Sequence, residues 1–169
     1  MHLCQDREFN EDRNSLPPPE ECNCFAVRAA ARHVSQSYDR FLAPTGLRTT
    51  QYSILARLKR KGPLTINALA EDMVMDRTTL GRNILPLQRD GLITIKSAAS
   101  DRRAKELRLT KAGENRLQEA SEGWAQAQAR FEAAFGEDRA ADLRELLRTA
   151  AASKFAPTSL TGKSATSAR

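Results

Sequence analysis

Cysteine, histidine and aromatic residues are all scarce in this 169-residue chain, and each scarcity excludes something. The three cysteines are Cys4, Cys22 and Cys24, and the two histidines are His2 and His33. Cys22 and Cys24 have no second cysteine pair to complete a tetrahedral zinc set, so no metal is expected. His33 would have to serve alone in any Ser-His-Asp arrangement, and no glycine-rich phosphate loop is present. No enzyme activity and no cofactor are therefore expected. No apolar run approaches the roughly 18–20 residues of a membrane span. Met1 to Asn10 contains no apolar stretch of the kind that directs secretion. The expectation is a cytoplasmic protein whose thiols are reduced at rest.

What is present is charge and helical periodicity. The net charge is +6, which favours an anionic partner. Hydrophobic residues make up 40% of the chain, enough for a modest core in one domain. Residues 1–21 are polar and run through Leu16-Pro17-Pro18-Pro19, which forbids helix and predicts a flexible arm. Residues 156–169 are rich in Ser, Thr and Ala and predict a disordered tail. One domain is expected between them, over 22–155.

The most informative stretch is Met73 to Leu109. Asp76 predicts an N-cap, with Arg77, Thr78 and Thr79 as the first turn. Leu80, Ile84 and Leu87 share one face and should be core. Thr78, Arg82 and Arg89 fall on the opposite face, with Thr79 and Asn83 on its flank. These side chains reach base edges and phosphates: Arg to guanine, Asn to adenine, Thr to a thymine methyl or a phosphate. Leu85 also points outward. Pro86 predicts a bend, and Asp90-Gly91 a left-handed stop. Leu92–Lys96 and Glu106–Thr110 alternate and predict the strands of a hairpin. Between Lys96 and Lys111 there are six Lys/Arg against two Asp/Glu. Such a run on its own is ordinarily a solvated face. Placed on a hairpin directly after a polar-faced helix, it predicts a reader of duplex DNA, with the helix in the major groove and the hairpin at the neighbouring minor groove.

The segment from Phe25 to about Lys154 resembles the MarR family of winged helix-turn-helix regulators. The resemblance rests on Asp101-Arg102-Arg103-Ala104-Lys105 followed by Leu107-Arg108-Leu109-Thr110-Lys111-Ala112-Gly113, which is similar to the family's wing signature. It implies that Asp101 orients the wing, that Arg103 enters the minor groove and that Lys105 lies near the DNA backbone. Arg102 is expected on a phosphate with Lys105. The resemblance further implies a homodimer on a pseudo-palindromic site, released by a small molecule or an oxidant.

The rest of the chain fits that frame. Phe25–Ala43 predicts a first helix with Ala26, Ala30, Val34, Tyr38 and Phe41 on one face. Thr49 or Thr50 is expected to cap a second helix through Lys61, with Leu55 and Leu58 inward. Leu64 reads as a very short strand, and Thr65 caps a helix whose inner face is Ile66, Leu69, Ala70 and Met73. Thr110 caps a long helix to about Phe135. Its Leu117, Ala120, Trp124, Ala127, Phe131 and Ala134 follow at spacings of three and four. Leu143, Leu146, Leu147 and Ala150 line a last helix. The expected fold is mainly α with a small β-hairpin wing. It has a winged helix-turn-helix part over 49–109 and dimerisation helices over 25–43 and 110–155, at which two copies meet. A symmetric dimer would set two recognition helices about 34–36 Å apart on one face of the duplex.

Two kinds of effector are read from the sequence. Cys24-Phe25-Ala26, with Tyr38 beyond it, is similar to the reactive-cysteine segment of the organic-hydroperoxide sensors within the family, in which a Tyr at the matching place bonds the Cys across the dimer. Thr49 and Arg28 stand where those sensors carry further tyrosines. A thiol at a helix N-terminus has its thiolate favoured by the helix dipole. Cys22 would be the resolving thiol after oxidation. The competing reading makes Cys24 a small apolar residue of the helix. The alternative effector is a small organic acid. By position in the family, its pocket would draw on His33, Tyr38, Arg40, Tyr52 and Trp124, with arginine suited to a carboxylate. Two other classes stand against a DNA reader. A thiol peroxidase using Cys24 would turn over peroxide with a reductant. A helical interaction module would show no salt-dependent DNA binding.

Overall fold

The computed structural model describes residues 21–97 and 105–153, with six helices and one three-stranded antiparallel sheet among them. The expected arm, the tail and the wing residues Asp101, Arg102 and Arg103 lie outside the described residues.

Helix α1 spans Asn23–Leu42 and ends in a single 3-10 turn, Ala43–Thr45. Helix α2 follows at Thr49–Lys61. Its cap differs from the expected Thr49 or Thr50, because Arg48 takes the N-cap position and both threonines lie inside the helix. The exposed donors of that first turn are met from elsewhere. Asp39 of α1 accepts from the Thr49 amide and hydroxyl, both at 2.7 Å, and Gln51 accepts from the Arg48 amide at 2.9 Å. A carboxylate ten residues upstream thus joins the ends of two helices.

Strand β1 (Leu64–Thr65) leads into helix α3 (Ile66–Asp72), where the Thr65 hydroxyl accepts from the Ala68 amide as expected. Helix α4 spans Arg77–Arg89 and runs through Pro86. Its C-terminus closes as a Schellman motif: Gly91 adopts φ +70°, its amide reaches the Gln88 carbonyl, and Leu92 reaches the Leu87 carbonyl. Leu87 and Leu92 are both buried there. Strands β2 (Ile93–Ser97) and β3 (Lys105–Leu109) pair with Ile93 opposite Leu109 and Ser97 opposite Lys105. Both sit one residue from their expected bounds. The hairpin is not alone, since β1 adds to the other edge of β3 and gives the order β1-β3-β2.

The core of the unit 1–130 is aliphatic. Leu42, Leu47, Ile54, Leu55, Leu58, Leu69, Leu80, Ile84, Leu87, Leu92, Ile93 and Leu107 form one cluster, and Tyr52 and Leu117 pack against it. Helix α5 spans Lys111–Phe135, and its first turn is closed by the Thr110 hydroxyl, which accepts from Gly113 and donates to the Gly91 carbonyl at 2.7 Å. The unit from Phe131 onward contains the last turn of α5 and helix α6, Glu137–Ala152. Phe131 stacks on Phe135 at 5.4 Å, Arg139 lies over the Phe135 ring, and Arg144 pairs with Glu132. Leu146 and Leu147 are exposed on α6.

Candidate nucleic-acid interface

Asp76 sets where α4 begins. Its carboxylate accepts from the Thr79 amide at 2.8 Å, and hydrogen bonding by Thr79 holds its pKa below the ordinary carboxylate value. With that start fixed, the helical period decides every other position. Leu80, Ile84 and Leu87 are buried, while Arg77, Thr78, Thr79, Arg82 and Arg89 are exposed. The expected reading residues therefore do lie on the solvent side of α4. They are not equally free. Arg89 is held by Asp90 at 3.0 Å, and the Asn83 amide donates to the Thr79 carbonyl at 2.9 Å, which leaves its carbonyl for an outside donor. Among the described residues, no ion pair or hydrogen bond holds Arg77 or Arg82.

The turn before α4 is strained. Val74 sits at φ +51°, where a β-branched residue is unusual, and is 74% exposed. It occupies the left-handed position that ends α3, with Val74 donating to the Glu71 carbonyl and Met75 to the Ala70 carbonyl. Asp72, at the end of α3, binds Arg57 and Lys61 of α2, and its hydrogen bond with Lys61 is the main cause of its lowered pKa. These two ion pairs tie the C-terminal end of α3 to α2.

On the sheet, Lys105 opens β3 in an exposed position, 3.5 Å from the Ser97 hydroxyl. Lys96 lies opposite Glu106, and Arg108 pairs with Glu106 at 2.8 Å. Of the six basic residues counted between Lys96 and Lys111, Arg108 is therefore committed within its own strand, and Lys111 has Glu114 at 3.4 Å.

The thiols stand at the other end of the domain's sequence. Cys22 is the N-cap of α1 and accepts from the Phe25 amide at 3.4 Å, and both Cys22 and Cys24 are exposed. Tyr38 donates to Gln128 of α5 at 2.7 Å. Fourteen residues of helix separate Cys24 from Tyr38 by about 21 Å, so the two cannot touch within one chain.

Of the five residues offered for a ligand, two are in contact with each other in the single chain. Tyr52 and Trp124 stack, with centroids 6.0 Å apart and planes 10° from parallel, and burial raises the Tyr52 pKa. His33 and Arg40 are exposed on α1. A cleft of about 310 Å³ lies elsewhere, lined by Leu58, Lys59, Gly62, Pro63, Arg108, Leu109 and Glu114. Lys59 and Glu114 bridge it at 2.6 Å, which lowers the Glu114 pKa. No sequence signal pointed to this cleft, because its walls come from segments some 50 residues apart. No group of three or more metal-ligating side chains occurs among the described residues, and no described helix is long and apolar enough to cross a membrane.

The family model for the MarR family matches residues 47–105. Among solved structures, the chain is similar to the transcriptional regulator MosR of M. tuberculosis, with 36% identity and a TM-score of 0.69, covering 80% of this chain and all of that one. The same regulator solved in complex with DNA aligns at 39% identity and a TM-score of 0.67, over 77% of this chain and 96% of that one. Among curated proteins, the organic hydroperoxide resistance transcriptional regulator of Bacillus subtilis is 29% identical over 90 residues. That alignment spans 53% of this chain and 61% of the relative's length.

Proposed function

The chain belongs to the MarR family of winged helix-turn-helix transcriptional regulators, and from that premise we propose a specific mode of action: a dimer that reads duplex DNA through α4. One observation carries the reading. Helix α4 buries an all-aliphatic face and turns Arg77, Thr78, Thr79, Arg82 and Arg89 outward, with the basic hairpin next in the chain. Arg82, mid-helix and without a partner among the described residues, is the guanine reader, worth about 1–3 kcal/mol of discrimination. Arg77 is the second candidate, while Thr78, Thr79 and Asn83 supply phosphate and base-edge contacts. In the wing, Asp101 orients Arg103 toward a narrow minor groove, and Arg102 and Lys105 bind phosphates. MosR has been solved in complex with DNA, which supports the same use of the shared fold here. The protein acts in the cytoplasm and is not an enzyme.

The dimer is formed by α1, α5 and α6, two copies covering the apolar side chains that one chain leaves exposed: Phe25 and Val27 on α1, Trp124 on α5, and Leu146 and Leu147 on α6. It sits on a pseudo-palindrome as a repressor and is released by a small organic acid bound near the Tyr52–Trp124 stack. Random-site selection tests the DNA reading. The recovered sequence should be a pseudo-palindrome with half-sites about one helical turn apart. Recovery of no common sequence would refute it.

A second reading of the switch rests on the exposed Cys22 and Cys24 at the start of α1, and the Bacillus subtilis relative's name supports it. The Cys24 thiolate attacks a hydroperoxide oxygen, the O–O bond breaks, and an alcohol leaves with a sulfenic acid on Cys24. A second thiol then displaces water to form a disulfide. A gel shift separates the two effectors. Release by one equivalent of cumene hydroperoxide, abolished by Cys24→Ser, selects the thiol. Release by an aromatic carboxylate, with Cys24→Ser unaffected, selects the ligand.

A further inference from the structure

Helix α4 carries one outward residue that neither its core nor its charge explains. Leu85 is 65% exposed, although Leu80, Ile84 and Leu87 already complete the buried face. It is no stray at the helix edge. Thr78, Arg82, Leu85 and Arg89 follow at spacings of four, three and four, which places all four within an arc of about 60°. Leu85 therefore belongs to the exposed stripe, at one edge of that arc and, along the axis, between the two arginines.

Facing a polyanion, a leucine there has no phosphate to bind. The floor of the major groove offers one apolar group, the C5-methyl of thymine; at the same place cytosine presents only hydrogen, and the purines present a polar N7. We propose that Leu85 is a specificity-determining residue that packs on a thymine methyl in each half-site. This inference rests on the reading of α4 as the recognition helix. Residues three apart on a helix have Cβ atoms about 5–6 Å from one another. Along the axis they are separated by about 4.5 Å, a little over one base-pair step. The thymine therefore stands beside the base pair that Arg82 reads. Arginine supplies the hydrogen-bonded discrimination of one pair and leucine the apolar discrimination of its neighbour.

Deoxyuridine in place of thymidine removes the methyl and leaves every hydrogen-bonding group unchanged. The test uses the duplex recovered by random-site selection, with each thymine and its symmetry mate replaced in turn, and reads affinity by fluorescence anisotropy. One lost methyl contact lowers affinity about fourfold, so loss in both half-sites lowers it about fifteenfold. The loss should occur at one thymine position, adjacent to the pair whose preference Arg82→Ala abolishes. Leu85→Ala, checked for an unchanged melting temperature, should bind thymine and uracil duplexes equally at that position. Indifference of the wild type to uracil at every position would overturn the assignment. Equal sensitivity of Leu85→Ala and the wild type would overturn it too. In either case sequence-specific binding itself would stand. Failure of the wild type to select any sequence would instead remove the recognition-helix reading, and Leu85's role with it.

Discussion

Two glycines inside helices should respond with opposite signs to the same substitution. Gly113 lies in the first turn of α5, and a Cβ built there would stand 2.1 Å from the Leu92 carbonyl oxygen and 2.7 Å from a methyl of Leu109. Gly81, inside α4, has nothing within 4 Å of the same added atom. Alanine favours a helix interior over glycine by about 1 kcal/mol, so Gly81→Ala should stabilise by about that amount. At Gly113 the gain is outweighed. The Leu92 carbonyl must retreat by about 1 Å, and it is held by the Thr110 amide at 3.1 Å and shares the Thr110 hydroxyl, at 3.0 Å, with the Gly91 carbonyl. Overpacking of this kind costs about 1–3 kcal/mol, and each weakened hydrogen bond about 1 kcal/mol more. The net for Gly113→Ala is a loss of about 2–4 kcal/mol. In a chain of this length the two variants should melt roughly 6–20 °C apart, on opposite sides of the wild type. Calorimetry at one fixed protein concentration measures this, since dimerisation makes the midpoint concentration-dependent. Equal melting temperatures for the two variants would show that the base of the hairpin does not rest on α5 as described.

Relief of strain gives a second expectation: Val74→Gly should raise stability by about 1 kcal/mol, because the left-handed penalty of about 1–2 kcal/mol is partly offset by the entropy of glycine. A chemical-denaturation midpoint below that of the wild type would contradict it. Acidification should weaken the domain. Asp72, Asp76 and Glu114 all have pKa values lowered in the folded state by their partners, so their contribution is full above the unfolded carboxylate range and is lost as pH falls through the lower folded values. Asp76→Asn, which caps without titrating, should show a shallower acid loss, measurable as melting temperature from pH 7 to 3; an identical slope would sink the assignment to Asp76. Cys24→Ser should keep full DNA affinity after peroxide treatment if the thiol is the switch. Release of this variant by peroxide would place the trigger elsewhere.

Local chemistry made much of this molecule legible in its sequence. Thr65, Asp76, Gly91 and Thr110 each act on backbone groups within a few residues, and each stands where its residue type predicted. The buried and exposed faces of α4 followed from the helical period alone. What escaped was non-local. The Asp39 carboxylate that satisfies the start of α2 comes from another helix, so the threonines beside that start looked like caps. A very short strand at Leu64 was legible, but its partner was not: β1 pairs with β3, more than 40 residues later. Leu42 and Leu47 are buried because the connection between α1 and α2 folds inward, which periodicity within a helix does not report. At the site, the exposed side chains of α4 were readable, but the commitment of Asn83 to Thr79 and of Arg89 to Asp90 was not. A helical wheel assigns faces and leaves side-chain partners open.

Base reading by α4 depends above all on Arg82. Affinity of the wild type and of Arg82→Ala should be measured for the selected duplex and for a scrambled duplex of equal length, at one physiological salt concentration. The wild type should prefer the selected duplex by about 1,000-fold or more. Arg82→Ala should lose about tenfold or more of that preference and keep its affinity for the scrambled duplex, because phosphate contacts carry non-specific binding. A variant with undiminished preference would contradict the assignment of α4 as the reading helix.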